Sequence, residues 1–135
     1  MTNEAVLIFE TEPPIPFTVV DGNGIEKGAF LKLTDPMTAS VSSGASDVFA
    51  GIAAEEKIAN DGKTKIAVYR KGIFKVLAGA ASITAGVALA TETAQRNEVK
   101  PLGTAGDNMI GTALETFGDG DTGLMELNII TRDIA

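Results

Sequence analysis

FAGIAAEE, residues 49–56, is restated as MIGTALET, residues 109–116. Each phrase sets an apolar pair before a Gly, runs on through alternating small residues and closes on Glu. A second pair of phrases stands upstream in the same order. IEKGAFLKLT (25–34) matches ITAGVALATE (83–92), aligning Ile25 with Ile83, Gly28 with Gly86 and Leu31 with Leu89. Two ordered matches at nearly one offset imply two similar β units, about residues 25–77 and 83–130, each too small to hold a core alone. They are expected to pack as one β domain, residues 21–135, because solenoid-like arrays need three or more units. On this reading Gly51 and Gly111 are backbone features, and Glu55 and Glu115 are strand ends.

The texture around the repeats is β throughout. DGNG (21–24), ANDGK (59–63) and GDGDTG (118–123) are turn signals, and SSGAS (42–46) is a loop. TKIAVYR (64–70) alternates, with Ile66 and Val68 on one face and Lys65, Ala67 and Tyr69 on the other. Strands are also expected in AFLKL (29–33), VFAGIAA (48–54), IFKVL (73–77), GVALAT (86–91), NMIGTALE (108–115) and LMELNII (124–130). The Ala-rich stretch 78–90 has helical propensity, but Gly79 and Gly86 would cost about 1 kcal/mol each inside a helix. The fold class is therefore all-β, with room for minor α structure there: a small β-barrel or β-sandwich.

Residues 1–20 read differently. AVLIF (5–9) is an apolar run, and TEPPIPF (11–17) packs three prolines into four positions. Pro fixes φ and lacks an N–H, so the stretch is expected to be an extended, polyproline-like arm with few internal hydrogen bonds. It lies as an edge across its own domain or orders on a partner by adding a strand to a foreign sheet. As an arm, residues 1–17 should be removable without unfolding the body.

Composition narrows the chemistry. The chain has 135 residues, no Cys and no His, which removes disulfides, thiolate metal sites and the commonest general base. GDGDTG opens like a calcium loop at Asp119 and Asp121, but Gly123 and Leu124 break the pattern. Glu55 and Glu56 are adjacent, so in a strand they point to opposite faces. No catalytic, cofactor or metal site emerges. The formal charge of −7 argues against nucleic acid. No segment is long and apolar enough to suggest a membrane span, and no export signal is read, so synthesis in a cytoplasm is expected. Charge is nonetheless uneven: residues 57–75 carry six cations against Asp61 alone. Lys63, Lys65, Arg70 and Lys71 could form a solvated face or a patch that meets an acidic surface on a neighbouring subunit.

GIAAEEKIANDGKTKIAVYRKGIFKV (51–76) resembles the central segment of head decoration, or capsid cement, proteins of tailed bacteriophages. IGTALE (110–115) and GDTGLMELNI (120–129) resemble the closing strands of the cement branch, and ITAGVAL (83–89) its middle repeat. The resemblance covers about residues 25–130. It implies a β-tulip-like homotrimer on the outside of the virion's icosahedral shell, bridging major capsid protein subunits, with no cofactor and no small-molecule substrate. By analogy of position, the N-terminal arm would reach onto the capsid through Val6, Leu7, Ile8, Phe9, Pro13, Pro14, Ile15, Pro16 and Phe17. The alternatives are a tail or baseplate β-module, or a small β-barrel enzyme or ligand-binding domain using Glu55, Glu115 and Asp119.

Overall fold

The structure, a computed structural model, describes residues 3–42, 47–79, 81–92, 97–103 and 107–130. Among these residues there are strands and no helix, so 81–90 is not helical; the expected loop at 42–46 lies, beyond Ser42, outside the described residues.

Each repeated unit closes a five-stranded barrel of its own. The first barrel uses β2 (Ile15–Thr18), β3 (Phe30–Asp35), β4 (Thr38–Val41), β5 (Phe49–Ala53) and β6 (Lys65–Tyr69). Its strands run β2-β4-β3-β5-β6, and β6 returns antiparallel to β2. The second uses β7 (Lys71–Ala78), β8 (Ala88–Thr91), β9 (Glu98–Pro101), β10 (Met109–Ala113) and β11 (Thr122–Ile130), in the order β7-β11-β10-β8-β9. One parallel pair completes each barrel, Thr18 beside Thr38 in the first and Ala78 beside Val99 in the second. The chain passes from one barrel to the other at Arg70, so each unit begins a strand earlier than the sequence blocks indicate.

The repeat holds at the level of single pairs. Leu31 faces Val41 and Leu33 faces Ala39; in the second barrel Leu89 faces Pro101 and Thr91 faces Val99. Ile25 bridges Lys57 as Ile83 bridges Phe117. The Gly28 N–H donates to the Ala53 carbonyl, and the Gly86 N–H to the Ala113 carbonyl, both at 2.8 Å. Gly51 lies beside Leu31, and Gly111 beside Leu89. A Cβ on Gly51 would stand 2.3 Å from the Tyr69 carbonyl oxygen, and one on Gly111 2.4 Å from that of Glu126. The two glycines are required because the neighbouring strand's backbone occupies the side-chain position.

Barrel interiors are filled by the aligned apolar residues. Leu31, Ala50 and Val68 are fully buried in the first, and Leu89, Val99 and Met125 in the second. β6 shows the expected alternation, with Ile66 and Val68 buried inside. The second core continues onto the outer wall of the first barrel, where Phe30, Phe49 and Ile52 are buried beneath the second. Tyr69 and Phe74 meet edge to face at 5.6 Å across this join.

The N-terminal stretch departs from the unpaired arm. β1 (Val6–Phe9) runs antiparallel to β7, with Leu7 opposite Phe74. It shares one edge of β7 with β9, β1 against residues 73–75 and β9 against 77–78. β2 is a wall of the first barrel, with Phe17 only 2% exposed. Pro16 is accommodated because β2 meets β4 at Thr18 alone, so the edge beside Pro16 demands no donor. The prolines therefore shape an edge of the body instead of keeping the segment off it. The expectation that residues 1–17 are dispensable for folding is corrected accordingly.

Candidate interaction surfaces

The nine N-terminal residues of interest divide between inside and outside. Leu7 packs on the second core, Ile15 on the first, and Phe17 belongs to the first. Val6, Ile8 and Phe9 face outward at 46%, 43% and 63% exposure, while Pro13 and Pro16 are exposed and Pro14 is half-buried. A register shift between Leu7 and Phe9 breaks the alternation and turns Phe9 out beside Ile8. β1 ends its sheet, so these side chains sit on a strand with one edge unpaired among the described residues. Beyond it, the Tyr69 hydroxyl donates to Glu10 at 3.3 Å. Burial, and then the nearby Glu10 carboxylate, push the Tyr69 phenol upward.

Two of the four cations are engaged in contacts of their own. Lys63 pairs with Glu55 at 2.6 Å, and the Arg70 guanidinium donates to the Ala50 carbonyl at 2.9 Å, both within the first barrel. Lys65 and Lys71 are exposed, the first opening β6 and the second opening β7. Arg70 thus fastens the hinge between barrels to β5, a role its position in a basic run did not disclose.

The carboxylates are equally committed. Glu55 accepts from Lys63 and, at 3.2 Å, from the Ala67 N–H, while Glu115 accepts at 3.1 Å from the Leu124 N–H. In both barrels the repeated Glu reaches back to hold the following strand, where the Ala54 and Leu114 N–H groups donate to the carbonyls of the same two residues. The hydrogen bond from Lys63, helped by Ala67, draws Glu55 below its ordinary pKa, and the Lys63 ammonium is raised in return. The two glutamates serve separate barrels and do not come together as a dyad. Asp119 is exposed on the turn before β11.

Two features had no sequence signal. The Lys57 side chain is fully buried, and its ammonium lies 2.7 Å from Asp61 Oδ1 and 2.9 Å from Asp21 Oδ1. It also donates to the carbonyls of Asp21 and Ile58, both at 2.9 Å. Burial opposes the charge, but the Asp61 and Asp21 contacts prevail and raise the Lys57 pKa. Asp61, bonded to Lys57 and to the N–H groups of Lys63 and Ile58, is lowered to about 2. At the equivalent place the second barrel has Phe117, so the repeat itself concealed the ion cluster. The other feature is a set of exposed apolar residues on the first barrel: Val20, Met37, Val41, Val48 and Ile58. Val20 and Val41 flank a groove of about 450 Å³ floored by Ile25 and Ala39.

A family model described as phage cement protein matches residues 9–129. Among solved structures, the chain is similar to the head fiber gp8.5 N base of bacteriophage phi29, at 15% identity and a TM-score of 0.57, over 90% of this chain and 98% of that one. At that identity the likeness bears on the fold alone. No curated protein sequence matches the chain.

Proposed function

We propose, from the premise that the chain belongs to the phage cement protein family, that it binds the outer surface of a phage head and stabilises the lattice of the major capsid protein. Membership makes it a structural protein of the phage virion; the shell surface, the capsid partner and a trimeric state are the further steps. Family membership across residues 9–129 carries the reading. The surface adds support. Val6, Ile8 and Phe9 form an exposed apolar strip on a strand with an open edge, which suits addition to a neighbouring sheet. Several weak contacts of this kind, made by one oligomer on several capsid subunits, would sum to firm attachment.

Heads of the encoding phage, assembled without this protein and expanded, provide the test. The purified protein is expected to co-sediment with them and to raise the temperature at which they rupture. A protein that stays in the supernatant, or that binds purified tails instead, would overturn the proposal.

A further inference from the structure

The internal repeat supplies two copies of one contact, and only one of them is used. Within the chain, Asn97, just before β9 of the second barrel, docks on the first. Asn97 Oδ1 accepts from the Phe30 N–H at 2.7 Å, and its Nδ2 donates to the Gly28 carbonyl at 3.0 Å. Beside it, Asn108 Nδ2 donates to the Asp47 carbonyl at 3.0 Å. The receiving face is the outer wall of the first barrel, where Phe30, Ile52 and Tyr69 stand in one row across β3, β5 and β6.

The pairing registers fix the counterpart of each residue. Asn97 corresponds to Met37, at the same place in the β3–β4 connection, and both have the left-handed backbone rare outside glycine, at φ 62° and 50°. Asn108 corresponds to Val48. The row Phe30–Ile52–Tyr69 corresponds to Ala88–Thr112–Glu126 on the second barrel, paired in the same way.

Four members of this set, Gly28, Phe30, Ile52 and Asn108, are buried, and their counterparts are more open. Gly28, Phe30 and Ile52 are buried, whereas Gly86 and Glu126 are exposed and Ala88 and Thr112 half-exposed. A Cβ placed on Gly86 would meet nothing within 4 Å. Asn108 is 8% exposed, but Val48 is 38% and Met37 50%. The first barrel thus ends in an unused docking tip that is apolar, and the second carries an unused receiving face. A tip on one barrel that fits a face on the other is a head-to-tail contact, which repeats until it closes.

We infer that this protein associates head to tail with a second copy of itself, the Met37–Val48 tip of one chain seating on the Gly86–Ala88–Thr112 face of the next. The tip has no amide to copy the hydrogen bonds of Asn97, so the contact is made by burying Met37 and Val48 over small residues. The partner is this chain because its second barrel is built on the pattern of the one that already accepts such a tip. Closure of three chains would give the proposed trimer, but the contact stands independently of any shell, because it is measured on the isolated protein.

The test uses two variants and their mixture. Wild type is expected to sediment as an oligomer. Met37→Asp/Val48→Asp spoils the tip and Ala88→Arg/Thr112→Arg spoils the face; each is expected to sediment as a monomer with the wild-type circular dichroism spectrum. Mixed together, the variants retain one sound tip and one sound face between them and should form a 1:1 dimer that grows no further. A monomeric wild type would overturn the inference. So would oligomers that survive either pair of substitutions, or variants that fail to combine when mixed. Failure of head binding with self-association intact would instead overturn only the proposed attachment to the shell.

Discussion

Gly111 has no room for a methyl group. A Cβ there would stand 2.4 Å from the Glu126 carbonyl oxygen and 2.8 Å from Met125 Cγ. Gly111→Ala is therefore expected to destabilise by about 2–3 kcal/mol, through forced separation of β10 from β11; chemical denaturation measures it. Gly86→Ala, in open space, should cost less, since only its positive φ is strained. The ion cluster makes a prediction of opposite visibility. Asp61 has a folded pKa of about 2 against an ordinary 3.8, so it binds its proton less readily in the folded state. Its stabilising contribution is complete above the unfolded value and disappears as pH falls from 3.8 through 2. The melting temperatures of wild type and Asp61→Asn should differ clearly at pH 6 and converge across that window; a constant difference would contradict the assignment. Glycines and glutamates at equal repeat positions were legible in the sequence because each performs one backbone task twice. Lys57 was not, because a lone lysine in a basic run gives no sign that Asp21, 36 residues earlier, folds onto it.

At the scale of elements, the first seventeen residues contain two strands with different duties. Deleting residues 1–10 removes β1 and uncovers residues 73–75 of β7, leaving both barrels their five strands. This variant is expected to fold with a lowered melting temperature. Deleting residues 1–17 also removes Phe17 and opens the first barrel between β4 and β6. Loss of that side chain alone is worth about 3–5 kcal/mol, so the longer deletion should lose the cooperative unfolding transition. Calorimetry of the pair separates an appended strand from a wall strand. Strands with clear alternation, such as β6 and β11, could be read directly from the chain. β4 and β9 could not: Thr38–Val41 is short and polar, and Glu98–Pro101 ends on a proline. Both are fixed by the strands around them. The prolines of β2 misdirected the reading for a related reason, since an edge that needs no donor leaves no trace in sequence.

For the whole molecule, the two barrels are alike in path and unlike in surface. Duplication was legible from Ile25, Leu31 and their counterparts, which face inward, and from Gly28 and Gly86, which repeat one backbone bond. The surfaces had to be compared in three dimensions, because Met37 and Asn97 share a place in the fold and no chemistry. On the shell, Val6→Asp/Phe9→Asp is expected to weaken co-sedimentation with undecorated heads by tenfold or more, about 1.4 kcal/mol, while the melting temperature stays near wild type. Undiminished binding would remove the β1 strip from the contact. The placement of β1 also decides how a pull is carried. Ladder bonds lie across the strands, so a load along β1 strains its bonds to β7 together instead of unzipping them one at a time. β7 in turn is held along its other edge by β11, from Lys71 to Leu77. Tension entering at the N-terminal strand is thus spread by shear through β7 into the second barrel.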